Sequence, residues 1–260
     1  MNSDFYLMRN AWRDVTRPKR LVTAAILVAL PALIAVFVRF VAPSNIDSQQ
    51  IYNMLMSNIV FGFLLAILAV IFGTGVISSE IEQKTIVYLL TRPVPRWRIV
   101  MAKFVVAIAA IAVTLCLATF ALAMATVGPG GLVQAHFIRD MAILAIGSLA
   151  YGALFLLLAT IVNRPLLWGL LYAFGIETWA PLLPGKFQLV SLMAYLRTLA
   201  PHAKTEDDFV DVQKMMQSII PDTISRGLAW SVIIGVILIA TTMALVIFSK
   251  NEYVPREDAE

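Results

Sequence analysis

Cysteine is almost missing: Cys116 stands alone in 260 residues, so neither an intramolecular disulfide nor a cysteine-built zinc site can form. A single thiol in an apolar run reads as a small buried residue. Histidine is nearly as scarce, and His136 and His202 are far apart in or near loops, which argues against a shared metal site. Charge is thin too, at 14% of residues, where soluble domains carry roughly a quarter. No glycine-rich loop runs into Lys-Ser or Lys-Thr, and neither a His-Glu-x-x-His helix nor a Gly-x-Ser-x-Gly elbow occurs. The chain is therefore not expected to be an enzyme, to hydrolyse ATP itself or to hold a cofactor or metal. Gly73-Thr74-Gly75 is a fragment of a dinucleotide fingerprint, but it ends an apolar run with no strand before it. Its small residues, like Ser148 and Gly152 four residues apart, suit close helix packing.

What the chain has is apolar length. Hydrophobic residues make up 60% of it, and lipid is the solvent that composition fits. A helix needs about 20 mostly apolar residues to cross the hydrocarbon, where only internal hydrogen bonds satisfy the backbone. Runs at 21–41, 54–77, 100–127, 141–162, 166–183 and 227–248 meet that test. The expectation is a single all-α integral membrane domain over residues 1–260 with six transmembrane helices and both termini on one side. The first run is too long for a signal-peptide core and lacks a small-residue cleavage site behind it, so it reads as a retained helix.

Lysine and arginine set the orientation. Arg9, Arg13, Arg17, Lys19 and Arg20 precede the first run, and Lys84, Arg92, Arg96, Arg98 and Lys103 lie in or beside the connection between the second and third. The opposite connections carry few: 42–53 has none, though Arg39 lies just before it, and 128–140 has only Arg139. Both termini should then be cytosolic, in a multi-pass protein of the cell inner membrane, with segment 184–226 outside. The net charge of +4 is a topology signal, and no basic face beyond these clusters suggests a nucleic-acid partner.

Between the runs the pattern is helical or turn-like. On a helix Phe5, Leu7, Met8, Ala11, Trp12 and Val15 share one arc, and Arg9, Asn10, Arg13, Asp14 and Arg17 share the other. That describes an amphipathic helix lying in the headgroup layer of membrane lipid, or else packed on another protein. Ser79 and Glu82 have capping-box spacing, so a short cytosolic coupling helix is expected to begin there and to stop at Pro93 and Pro95. Arg96, Trp97 and Arg98 then suit the membrane interface. Asn163-Arg164-Pro165 reads as a tight cytosolic turn and Gly128-Pro129-Gly130-Gly131 as an external one. Phe209, Val212, Met216 and Ile219 recur at helical spacing in the external segment, as a cover for the outer mouth or a plain surface helix.

Glu177 is the one acid expected inside an apolar run, about 18 Å along it from Pro165. At that depth an ionisable group costs roughly 2.5–3.5 kcal/mol on insertion scales unless paired or hydrated, so it should face the bundle interior. It reads either as part of a transport path or outer gate, or as a carboxyl satisfied by a neighbouring span near Trp179 and Pro181.

Glu80-x-Glu82-x-x-Thr85, then Leu89-Leu90-Thr91-Arg92-Pro93-Val94-x-Arg96 and Lys103, resembles the signature of ABC-2 type transporter permeases. Glu177, Leu183-Pro184, Ser191 and Tyr195-x-Arg197 look similar to the branch that includes the nitrous-oxide-reductase maturation permease. The resemblance implies a permease subunit of an ATP-binding-cassette exporter, paired with a cytosolic ABC ATPase and present as a homodimer or paired permease. It also implies that Glu80, Glu82, Lys84, Thr85, Arg92, Pro93 and Arg96 form the ATPase-coupling connection. Charged residues on a helix pinned beside a span suit such docking on their own account, since closure of an attached ATPase must move something rigid. The rival reading is a membrane anchor or assembly factor that recruits a cytosolic protein and moves nothing. An intramembrane enzyme would need a second polar partner at matching depth, and the runs offer none. Eleven methionines are scattered, as residues that fill packing gaps are, and give no copper site.

Overall fold

The structure is a computed structural model that describes residues 3–41, 48–82, 95–129, 136–179, 189–200 and 224–250. Among these, every regular element is helical. Five helices are long and apolar enough to cross a membrane: Arg20–Val41, Ser48–Ile77, Trp97–Thr126, Phe137–Ile161 and Arg226–Lys250. They are here spans one to four and the last span, and together they make the chain a multi-pass all-α membrane protein. Five of the six apolar runs thus became long helices, each extended by a few residues at one or both ends.

The run expected at 166–183 is helical over the part described: Pro165–Leu171, a π-helical turn Tyr172–Ile176 and Glu177–Trp179. That part, the short run, is roughly 22 Å at 1.5 Å per residue, against a hydrocarbon thickness of about 30 Å, and residues 180–183 of the run lie outside the described ones. Pro181 falls inside the run and has no N–H to extend a helix. A short return helix, Leu192–Leu199, follows.

Span two is the axis of the bundle. Of its most apolar stretch 67% is buried, against 11% for span one and 22% for the last span. It packs on span four along most of its length, span one and the N-terminal helix Ser3–Val15 pack on span three, and the last span packs on span four and the return helix. Leu33, Phe37 and Phe40 of span one and Leu238 and Ile239 of the last span are exposed. In lipid, exposed apolar surface on peripheral helices is the satisfied state, because hydrocarbon surrounds it. On the N-terminal helix Ala11 is buried while Met8, Arg9, Trp12 and Arg13 are exposed. One side of the amphipathic helix therefore seats on span three, and Asp14 holds Arg17 at 2.8 Å on its last turn.

Glycine permits the closest helix approach. A Cβ on Gly73 of span two would stand 3.0 Å from the Phe155 Cβ and 3.5 Å from the Gly152 carbonyl oxygen of span four. This is the close packing expected of Gly73-Thr74-Gly75 and Gly152. The turn after span three begins at Gly128, whose φ of 75° lies in the left-handed region that favours glycine. The turn between span four and the short run is tight, with Pro165 in the first turn of the new helix. By contrast, helix Leu65–Glu82 passes through Ser79 without a break, so no helix starts there; the rest of the expected coupling helix, 83–93, lies outside the described residues.

Filling the Gly73 contact should be costly. Gly73→Leu drives a side chain against the backbone-proximal atoms of Phe155, and is expected to destabilise the protein by about 1–3 kcal/mol. Gly235→Ala, where a Cβ meets nothing within 4 Å, should be neutral. Thermal unfolding in detergent compares them, and equal midpoints for the two variants would contradict the packing.

Candidate functional site

The charged connection between spans two and three divides between described and undescribed residues. Glu80 and Glu82 fall on the last turn of the helix that continues span two, and Arg96 opens the helix that becomes span three. The side chains of these three, and the whole of Lys84, Thr85, Arg92 and Pro93, lie outside the described residues. The flank of the connection is visible: Trp97 is half-exposed and the Arg98 guanidinium sits 5.4 Å from the centre of its indole ring, a cation–π pair placed as the interface reading expects.

Glu177 is buried inside the bundle at 6% exposure, and its surroundings account for it. Oε1 accepts from the Tyr172 hydroxyl at 2.8 Å and from the Leu192 N–H at 3.1 Å. Oε2 accepts from the Ser191 hydroxyl and from the Met193 N–H at 3.2 Å. Leu192 and Met193 are the first residues of the return helix, where N–H groups have no partner within the helix and the dipole favours negative charge. Ser191 is the N-cap of the same helix and accepts from the Ala194 N–H at 3.3 Å while donating to Glu177. One carboxylate thus joins the end of the short run to the start of the return helix. The acid is held by its own run and the segment after it, and Tyr151 of the neighbouring span four also reaches it.

Arg197 leaves the far side of the return helix towards span two. Its Nη2 donates to the Ser57 carbonyl at 3.4 Å, and its Nε, although buried, has no acceptor among the described residues. Burial pulls its pKa below the ordinary arginine value, an effect that Tyr151 and Glu177 nearby oppose, and the guanidinium stays charged. Tyr151 of span four, 1% exposed, lies within electrostatic reach of Glu177, Tyr172 and Arg197. Ser57 belongs to a π-helical stretch, Met56–Leu64, within span two. The short run carries its own π turn at Tyr172–Ile176, and Phe63 and Phe174 from the two stretches meet edge to face at 5.8 Å. Wide turns of this kind are rare and concentrate at functional sites.

A second buried acid lies near the start of span two and span four. Asp140, fully buried just past the first turn of helix His136–Ile161, accepts from the Tyr52 hydroxyl of span two at 3.0 Å. Sequence reading left Asp140 in the external turn, since an acid just before an apolar run looks the same whether it meets water or a neighbouring helix. Arg39 at the end of span one reaches the Ala125 and Thr126 carbonyls at 3.4 and 3.5 Å, where helix ends favour cations. Buried Thr74, Thr114, Thr119 and Thr126 return their hydroxyls to carbonyls of their own helix and form no polar track between helices.

Removing the Glu177 acceptors should loosen the outer half of the bundle. Glu177→Leu leaves the Ser191 hydroxyl and two N–H groups without their partner, each worth about 1–3 kcal/mol when buried, so a loss of roughly 3–5 kcal/mol is expected. Glu177→Gln keeps one acceptor oxygen and should lose less. Unfolding in mixed micelles measures both; wild-type stability in Glu177→Leu would show that the carboxylate fastens nothing.

A family model described as "ABC-2 family transporter protein" matches residues 16–176, which takes in spans one to four, the charged connection and most of the short run. Compared with curated proteins, the chain matches none. The matched region is well over half of the sequence, and it contains the residues on which the permease resemblance rested. The chain belongs to the ABC-2 family of transporter proteins.

Proposed function

We propose that this chain is the transmembrane permease subunit of an ATP-binding-cassette exporter, driven by a separate cytosolic ATPase and working as two copies, identical or paired. The observation that carries the reading is the family match over 16–176, because that span includes every proposed coupling residue from Glu80 to Arg96. ATP is bound by the partner, since the sequence has no phosphate loop of its own.

Topology fits this reading. Five long spans alone would leave the termini on opposite sides. The short run starts at the cytosolic turn before Pro165 and heads outward, so the chain emerges outside before the last span brings it back. With that sixth passage both termini are cytosolic and the external segment 184–226 lies opposite the coupling connection. Span two supplies the mechanical route: helix is continuous from Ser48 through Glu82, which joins the coupling side to the level of Ser57 and Arg197. Glu177 acts at an outer gate, as a fastener of the return helix, because both its oxygens are occupied by the protein. The similarity to the nitrous-oxide-reductase maturation branch rests on the residues Glu177, Leu183, Pro184, Ser191, Tyr195 and Arg197 alone, which lie beyond the matched region. The anchor reading would have been favoured by Glu177 facing lipid, and Glu177 faces the interior.

Coupling is tested by charge. Glu80→Lys with Glu82→Lys should abolish co-purification with the co-expressed ATPase and any stimulation of its ATP turnover by the permease. Retention of both would remove the docking assignment.

A further inference from the structure

The return helix is fastened very unequally on its two sides. Towards the short run it is held by Glu177 through three donors, the Ser191 hydroxyl at its N-cap and two of its own backbone N–H groups. The Tyr195 hydroxyl bonds the Leu189 carbonyl and the Thr198 hydroxyl bonds the Tyr195 carbonyl, so these too stay within the segment. Residues 165–179 and 189–199 therefore form one tied body.

Towards span two the fastening is slight. Arg197 makes one long bond, 3.4 Å, to the Ser57 carbonyl, and its buried Nε has no acceptor among the described residues. The surface beneath the guanidinium is bare: a Cβ on Gly62 would come within 3.4 Å of Nη2 and 3.6 Å of the Ser57 carbonyl oxygen. No side chain at position 62 interlocks with the arginine. Spans two and four, meanwhile, are held together at both ends, by Tyr52 on Asp140 at one and by Gly73 against Phe155 at the other. Tyr151 of span four approaches Glu177, and Leu196 seats by apolar contact where a Cβ on Gly147 would be 3.1 Å away. The seam between the tied body and this two-helix frame is closed by packing, by the Tyr151 hydroxyl of span four on Glu177 and, on the span-two side, by a guanidinium whose donors are only partly used. A buried donor left over in one packing is a reason for a second packing that uses it.

We infer that Arg197 is the latch of the outer gate: the body formed by the short run and return helix opens from spans two and four as one unit, and the guanidinium leaves the π-helical Ser57 turn when it does. The inference rests on the transporter reading above. The π stretch suits the part, because a π turn presents its carbonyls off the α-helical ladder and adds a residue whose register can shift. Arg197 is a positioning residue, and its role is the closed state of the gate.

The test uses the full chain with Cys116→Ala, so that a cysteine at Ser57→Cys is the only thiol; the substitution keeps the Ser57 carbonyl. Labelling by a membrane-impermeant maleimide is measured for the chain alone and for its ATPase complex, with and without vanadate-trapped nucleotide. The rate is expected to differ roughly tenfold between nucleotide states, and Arg197→Gln is expected to raise it by a similar factor in the slower-labelling, closed state and little in the faster one, as loss of a bond from a charged donor should. Arg197→Lys should fall between. Labelling of exposed Met54→Cys should stay constant throughout, which separates latch opening from general loosening. Equal Ser57→Cys rates in wild type and Arg197→Gln in the closed state overturn the latch. Equal rates across nucleotide states in an intact complex overturn it too, and leave docking standing. If no ATPase associates, the transporter reading fails by itself and the Arg197→Gln comparison on the chain alone still decides the latch.

Discussion

The bilayer core offers no water, so a chain that stops being helical at membrane depth must satisfy its backbone from within the protein. Helix is described from Pro165 to Trp179, and another starts at Leu192 with N–H groups that nothing in its own helix can bond. Glu177 meets that requirement. A buried acid would be a liability in lipid, and unbonded helix-start donors would be another. Placed together, each supplies what the other lacks. The return helix is only eight residues long, too short to be stable alone in isolation, so its presence in the bundle depends on this carboxylate and on the contacts that follow from it.

The rest of the architecture serves that junction. Spans two and four make a tightly packed frame, with glycine at their closest approach and a tyrosine–aspartate bond near their starts. The buried Tyr151 rises from span four towards Glu177, and the Ser57 turn of span two lies under Arg197. Spans one and last, mostly lipid-facing, enclose less of the core. Charge is thereby sorted along the bundle: the charged connection lies at one end of spans two and three, a compact buried cluster of Glu177, Arg197 and two tyrosines lies towards the other, and packing between them is mainly apolar. A permease moved from one side by a partner needs such a division, since force enters at one end and access is controlled at the other.

The long spans were legible because twenty apolar residues have few other uses. The short run was legible as helix, which the structure describes over 165–179, while its π-helical turn was not, because it lies in backbone bonding that composition does not record. Glu177 was legible as buried, yet its partners were not, since Ser191, Leu192 and Met193 come from a segment whose path across the bundle no periodicity reveals. Two of its four donors are backbone N–H groups, which leave no mark on sequence at all. Asp140 escaped for the opposite reason: its position at a helix start made solvent the simplest assumption. The π stretches at Met56–Leu64 and Tyr172–Ile176 have no compositional sign beyond a glycine in each. The coupling residues were named by resemblance, and the family match covers them, while most of their side chains lie outside the described structure.

Amide exchange at Leu192 and Met193 in the membrane-embedded protein asks most directly whether Glu177 holds the return helix in the bundle. The account predicts protection comparable to that of the spans in the wild type, and its collapse at these two amides in Glu177→Leu while spans two and four keep theirs. Fast exchange at both amides in the wild type would contradict it.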